Sequence, residues 1–361
     1  MNKILSLKGY RMPGEWELQK SVWIAWPYNK EDWPNLFKNI PKVIAEIIAN
    51  ISNSQKVNLL INNQNDKIKI KKILNNFNYK LSNIVFFNIP TNRIWLRDSG
   101  PIFLVNKINK NKVLLNFKFN AWAKYKDYQK DNLINNKISK ITKIKKINPT
   151  MIINNKLKQV VLEGGAIDVN GKGSILLTKE CLLSKIQERN PGITKHVLEN
   201  VLKKYLNVTN FIWLNKGIEG DDTHGHIDDI ARFVSENTIM TAVENNKKDI
   251  NYLNLKENYK ILNQAKNFKG KKFRIIKIPM PKPIYIDNTR VPASYLNFYI
   301  ANKIILLPVF KDKNDKKVIS IFKKFFKKKK VIPINCRELI WGFGAIHCMT
   351  QQEPEVVLSS S

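Results

Sequence analysis

The chain has 361 residues, 43% hydrophobic and 25% charged, the composition of a folded protein with a sizeable core, which excludes disorder, collagen and small disulfide scaffolds. Its three cysteines, Cys181, Cys336 and Cys348, are odd in number and widely spaced, so they form no disulfide framework and suit a reducing compartment, the cytoplasm. The net charge of +33 invites a nucleic-acid reading, yet 54 of the 62 basic residues are Lys, whereas phosphate and base recognition favours the forked guanidinium. With the Asn and Ile of stretches such as Asn132 to Asn155, the lysines read as a bias toward residues with AT-rich codons, and no nucleic-acid partner is expected.

The chain opens with only a broken apolar stretch around Ile4 to Leu7, too short for a signal-peptide core. No later run reaches the about 18 apolar residues of a membrane span, so no membrane partner is expected. Ile44, Ile47, Ile48 and Ile51 recur at helical spacing, and Val57 to Ile61 and Ile84 to Phe87 follow as buried strands. The polar stretch from Lys124 to Lys156 reads as an insertion or surface excursion. Near the end, Val318, Ile319, Phe322, Phe325 and Phe326 form one stripe of a helix within Asp315 to Lys329, with lysines on the other face. The alternation of helical and strand periods places the chain in the α/β or α+β class, and no interdomain linker is visible.

Six islands escape the Lys/Asn/Ile bias and carry the Trp, Gly, Pro, Asp, His and Arg residues: Met12 to Trp33, Asn92 to Pro101, Leu162 to Gly173, Gly217 to Val234, Val291 to Phe310 and Trp341 to Pro354. Taking one chemically distinctive residue from each of the last five gives Asp98, Glu163, His226, Tyr295 and Cys348, which are 65, 63, 69 and 53 residues apart. Such near-regular spacing suits five modules of strands and a helix around an axis, bringing five loops to one centre.

Cys348 follows a histidine in Gly-Phe-Gly-Ala-Ile-His-Cys-Met-Thr-Gln-Gln, where small residues permit close backbone approach to a ligand; a thiolate there is a nucleophile if its surroundings activate it. Cys181 and Cys336 read as buried filler. His224-Gly-His226-Ile-Asp228-Asp229 holds half of the four histidines. On a strand, His224, His226 and Asp228 would share one face. The segment resembles the HxHxDH signature of metallo-β-lactamase-like hydrolases, but its sixth position is Asp229, and only His196 and His347 remain as further ligands, too few for two-zinc chemistry. Asp98 and Glu163, each ending an apolar run, could singly be turn formers or ion-pair partners. A thiol, a histidine and acids at loop-like positions together suit a cationic planar substrate, its guanidinium held by paired carboxylates beside a nucleophile.

On MPGEWE and WIAWP (Met12 to Pro27), WLRDSGP (Trp95 to Pro101), LEGG (Leu162 to Gly165), RNP (Arg189 to Pro191), DDTHGHIDD (Asp221 to Asp229), SYLNFYIAN (Ser294 to Asn302) and GAIHCMTQQEP (Gly344 to Pro354), the chain resembles the agmatine deiminases and their peptidylarginine-deiminase-like relatives in the guanidine-modifying enzyme superfamily. The motifs run in order over nearly the whole chain. The resemblance implies the pentein fold, a five-bladed α/β propeller with pseudo-fivefold symmetry, spanning 1–361 as a single catalytic domain. It implies Cys348 as nucleophile, His226 as general acid/base, Asp98 and Asp228 as guanidinium-binding carboxylates, and Glu163 as the acid that orients the histidine. Trp95 would flank the substrate's alkyl chain and Asp222 would lie near its far end.

The implied reaction is hydrolysis of agmatine to N-carbamoylputrescine and ammonia, with no metal or organic cofactor, and the resemblance implies a homo-oligomer. Gly342-Phe343-Gly344-Ala345 and Thr223-His224-Gly225 depart from the family's pattern, and Phe343 and His224 are expected to reshape the pocket end distant from the guanidinium. The alternatives are a deiminase of another guanidine (free arginine or peptidyl arginine), a Lys-rich RNA-binding protein without catalysis, and a metal-dependent hydrolase.

Overall fold

The computed structural model describes residues 7–106 and 108–356; most of the apolar stretch at Ile4 lies outside them. Five of its sheets share one pattern, an antiparallel pair extended by a parallel strand across a helical connection. In the first, Ile102–Asn106 pairs antiparallel with Asn111–Leu115, which pairs parallel with Lys145–Ile147. The second runs Asp168–Val169, Ser174–Thr178, Asn210–Leu214. The third runs Ala231–Ser235, Thr238–Val243, Arg274–Pro279, and the fourth Tyr299–Ile300, Ile304–Val309, Lys330–Asn335. The fifth closes the chain on itself: Gln351–Pro354 pairs antiparallel with Gln19–Ala25, which pairs parallel with Lys56–Ile61, and that with Ile84–Asn88.

The parallel steps need crossovers, and the sequence provides amphipathic helices for them. Ile40–Ser52 buries Ile44, Ile47, Ile48 and Ile51, the residues whose spacing predicts it. Asp315–Phe325 buries Val318 and Phe322 and ends before Phe326, which packs beneath it from the following turn. Lys56–Ile61 is buried from its second residue on, as expected, whereas Ile84–Asn88 is an edge strand with only Ile84 buried.

One expectation is corrected. Lys124 to Lys156 is no excursion: it contains the crossover helix Ile134–Thr142, with Ile134 and Ile138 buried, and the strand Lys145–Ile147 that completes the first sheet. Its polar appearance reflects a helix with a narrow apolar seam. The segment from Asp221 to Ile230 is not a strand but a turn leading into the 3-10 turn Ile227–Asp229, so His224 and His226 do not alternate along a face.

Candidate active site

Each sheet's first strand is preceded by a loop that carries a polar residue into the interior. Asp98 lies in the single turn Leu96–Ser99 before Ile102–Asn106, and Glu163 precedes Gly164–Ala166 and the strand Asp168–Val169. His226 and Asp228 precede Ala231–Ser235, and Cys348 precedes Gln351–Pro354. In the fourth module the residue that reaches the site is Asn297 rather than Tyr295, whose hydroxyl donates to Asp315 Oδ1 (2.6 Å) away from it. Asn297 Nδ2 donates to Cys348 Sγ (3.0 Å) and to Asp229 Oδ1 (3.0 Å), while its Oδ1 accepts from the backbone N–H of His347 (2.9 Å) and Cys348 (3.2 Å). The amide thus fixes both the backbone and the sulfur of the thiol. A neutral amide carries neither charge nor nucleophile to single it out within its island.

The carboxylates surround the sulfur and the imidazole. Asp228 Oδ2 lies 3.7 Å from Cys348 Sγ. Asp98 Oδ1 is 3.8 Å from His226 Nδ1, and Glu163 Oε2 is 3.8 Å from His226 Nε2. All five residues are buried. Asp98 is itself oriented by the backbone N–H of Gly165 (3.0 Å) and by Trp122 Nε1 (2.9 Å). Trp122 sits in a run of three left-handed residues, Ala121, Trp122 and Ala123, with φ of 50°, 58° and 54°, a strained turn spent on bringing the indole N–H to the carboxylate. Glycine at 165 is compulsory, because a Cβ there would stand 2.6 Å from His226 Nδ1 and 2.7 Å from Asp98 Oδ1.

A second layer of buried charge holds the first. His347 donates or accepts between Asp228 Oδ2 (2.7 Å, at Nδ1) and Glu15 Oε2 (2.8 Å, at Nε2). Glu15, from the first island, also meets Arg97 (3.2 Å) and Arg232 (3.0 Å), and Arg232 meets Asp168 (2.6 Å). Arg189 Nε donates to Glu163 Oε1 (3.1 Å), with both side chains fully buried. The sequence reading missed these roles of Glu15, Arg97, Arg189, Arg232 and His347. Their signal was that five of them stand inside the bias-free islands or motifs, four of them cations or acids with no surface reason to escape the bias.

The electrostatics follow from this packing. Burial pushes the Cys348 thiol well above its ordinary value, and Asp228, Asp229 and Asp98 add to the effect. Burial alone would lower the His226 pKa, but Asp98, Cys181 and Glu163 together outweigh it and hold the imidazole charged well above its usual range. Burial raises Asp98 to about 6, against the pull of His226 and with the push of Asp228 and Glu163. Glu163 is desolvated too, yet Arg189 and His226 bring it down to about 2. Burial and the neighbouring Asp228 raise Asp229 well above the carboxylate range. The free site is therefore short of positive charge, and Asp228 Oδ1 and both His226 nitrogens have no hydrogen-bond partner. A planar cation with several N–H donors is the ligand that the orphaned Asp228 carboxylate oxygen suits.

The site opens into a cavity of about 380 Å³ whose wall includes Asp98, Cys348, Trp95, Trp122, Trp341 and Phe343. His226, Asp228 and Glu163 lie behind that wall. Trp95 packs on Trp33 (5.7 Å between ring centroids) and faces Gly344, where a Cβ would come within 2.7 Å of its ring. Phe343, at φ +61°, does line the cavity, as expected. His224 does not: it turns to Ser184 Oγ (3.1 Å). Asp222 is on the cavity wall, but it receives the Tyr125 hydroxyl (2.7 Å) and the Lys124 ammonium. Glu31, Asp32 and Asp127 add further acid around it, with Arg93 pairing Asp32 (3.2 Å) and Asp127 (2.8 Å).

A buried thiol, an imidazolium and convergent carboxylates on five repeated α/β modules define a hydrolase of amidine C–N bonds that works through cysteine, on the pentein fold. The chain belongs to the Porphyromonas-type peptidyl-arginine deiminase family, whose model matches residues 11–354. It is 34% identical to a Latilactobacillus sakei protein named as a candidate agmatine deiminase, over 96% of each chain. Its structure is similar to the agmatine deiminase of Enterococcus faecalis (28% identity, 98% of each chain, TM-score 0.86). It is also similar to a cysteine-to-serine variant of the C. jejuni agmatine deiminase with substrate bound (31% identity, 96% of each chain, TM-score 0.83). Among the described residues, no helix is long and apolar enough to cross a membrane.

Proposed function

We propose that this protein is an agmatine deiminase in which the whole chain serves as one catalytic unit, converting agmatine and water to N-carbamoylputrescine and ammonia. The observation that carries this reading is the placement of the Cys348 sulfur 3.7 Å from Asp228 at a cavity that Asp98 also lines. Asp98 and Asp228 hold the guanidinium by charge-assisted hydrogen bonds and present its central carbon to the sulfur. The bound cation offsets the acids that keep the thiol protonated, so the thiolate forms when substrate is present.

Attack of sulfur on the central carbon forms the C–S bond of a tetrahedral adduct. The His226 imidazolium gives its Nδ1 proton to the departing nitrogen, the C–N bond breaks, and ammonia leaves an amidino-thioether on Cys348. The now neutral His226 takes a proton from water, whose oxygen adds to the same carbon; collapse breaks the C–S bond, the remaining hydroxyl proton passes to solvent, and the ureido product and thiolate are released. Glu163, carried by Arg189, orients the imidazole through Nε2.

Trp95 lies along the alkyl chain, and Asp222 with the neighbouring acids receives the far ammonium. The cavity of about 380 Å³, walled by Trp95, Trp122, Trp341 and Phe343, suits a small amine better than a peptide. The free, buried state of all three thiols supports a cytoplasmic location. The test is ammonia release from agmatine, with free arginine and a blocked arginine peptide in parallel. Cys348→Ala should abolish turnover and keep substrate binding; normal activity in that variant, or turnover of the peptide in preference to agmatine, sinks the proposal.

A further inference from the structure

Behind the active-site wall stands a second thiol that the reaction does not use. Cys181 lies in the single turn Lys179–Leu183, its backbone N–H donating to the side chain of Thr178 (3.2 Å), and it is 1% exposed. Its sulfur, a Glu163 oxygen and a His226 nitrogen all lie within 4.8 Å of one another, and all three residues are buried. Independently of that proximity, Glu163 Oε2 and both nitrogens of His226 are buried without a hydrogen-bond partner. An unsatisfied buried polar atom is costly, so a ligand that meets Oε2 and Nε2 together is favoured.

We propose that Cys181, Glu163 and His226 form a binding site for a thiophilic divalent cation such as Zn2+, and that its occupancy switches the enzyme off. The donor set of one sulfur, one imidazole nitrogen and one carboxylate oxygen is the borderline-soft chemistry that Zn2+ takes, at about 2.3 Å to sulfur and about 2.0–2.2 Å to nitrogen and oxygen. Tetrahedral ligation at those lengths separates the donors by roughly 3.3–3.8 Å. His226 Nε2 and Glu163 Oε2 are already 3.8 Å apart, so the site closes by small side-chain shifts.

Supporting contacts are also in place. Arg189 Nε donates to Glu163 Oε1 (3.1 Å), so Oε2 is left to face His226 Nε2. Asp98 faces Nδ1, on the other side of the imidazole (3.8 Å), the position of the carboxylate that orients a metal-bound histidine. Three protein ligands leave a fourth position for water.

Ligation requires a thiolate and a neutral imidazole, so binding forms metal–sulfur, metal–nitrogen and metal–oxygen bonds and releases the displaced protons to solvent. With the metal on Nε2, the ring has lost one of the two protons of the imidazolium and can give up the Nδ1 proton only as an imidazolate. The inhibitory consequence rests on the catalytic role proposed for His226; the binding site itself does not.

The experiment titrates the full chain, reduced with a non-thiol reductant, with Co2+ and follows the thiolate-to-cobalt charge-transfer absorption. The wild type and Cys348→Ala should show the band, Zn2+ should displace it, and Cys181→Ser should lack it. Cys181→Ala provides a second variant should the serine protein fail to fold. In parallel, Zn2+ should inhibit agmatine turnover reversibly, with the inhibition relieved by a chelator and weakened at least about tenfold in Cys181→Ser. A band lost in Cys348→Ala but kept in Cys181→Ser places the metal on the nucleophile and overturns the proposal, as does a wild-type protein with no band. Failure of the wild type to turn over agmatine would instead remove the proposed reaction while the cobalt band still reports the site.

Discussion

Asp98 is the residue on which binding and proton inventory meet. Its folded pKa of about 6 lies above the ordinary carboxylate value because burial and two neighbouring acids disfavour its charge. The carboxyl is protonated below about 6 and ionised above it, and only the ionised form pairs with a guanidinium. Hence kcat/KM for agmatine should fall about tenfold per pH unit as the pH drops below about 6. Asp98→Asn should remove that limb and lower kcat/KM on the order of a hundredfold or more. Initial rates at low substrate across pH 4.5 to 8 check this; an unchanged acid limb in Asp98→Asn would assign the titration elsewhere.

Among the elements, the loop before each module's first strand does the chemical work, and the Glu163-Gly164-Gly165 loop shows how tightly. A Cβ at 165 would collide with both the imidazole and Asp98, yet Gly165 lies outside any long helix or strand, so its replacement displaces catalytic groups more than it unfolds the protein. Gly165→Ala should therefore lower kcat by on the order of a hundredfold, the cost of roughly 1 Å of misplacement, while the thermal midpoint moves only a few degrees. Equal losses in activity and stability would show that the loop is structural first.

This loop also marks how far the sequence could be read. The five modules and four of the five site loops were legible because codon bias recoloured everything the site did not constrain, leaving Asp98, Glu163, His226 and Cys348 in visible islands. Asn297 stands in an island too, but Tyr295, two residues earlier, is the more distinctive side chain and drew the assignment. The Glu15, His347 and Arg232 layer was hidden because it joins residues 217 and 332 positions apart, a partnership no local pattern encodes. The helix Ile134–Thr142 was missed because its buried seam is only a few residues wide.

Over the whole molecule, the net charge of +33 opposes the local charge of the site. A cationic substrate approaching from beyond a Debye length, about 10 Å at 0.1 M salt, meets the averaged positive field of the lysines before it meets the acids of the cavity. At the cavity the order reverses: Glu31, Asp32, Asp98, Asp127 and Asp222 line it against a single Arg93, and Asp228 lies buried behind it. Salt should therefore act chiefly on the encounter. Raising ionic strength from about 10 mM to about 200 mM collapses the long-range repulsion from a Debye length of roughly 30 Å to under about 10 Å, and kcat/KM for agmatine should rise several-fold while kcat stays level. An enzyme whose acidic mouth dominated the distant field would show the opposite slope. Steady-state rates in sodium chloride, repeated in a larger organic salt to separate screening from specific ion binding, decide between the two; a fall in kcat/KM with salt would mean that the lysines are arranged to leave a negative corridor to Cys348.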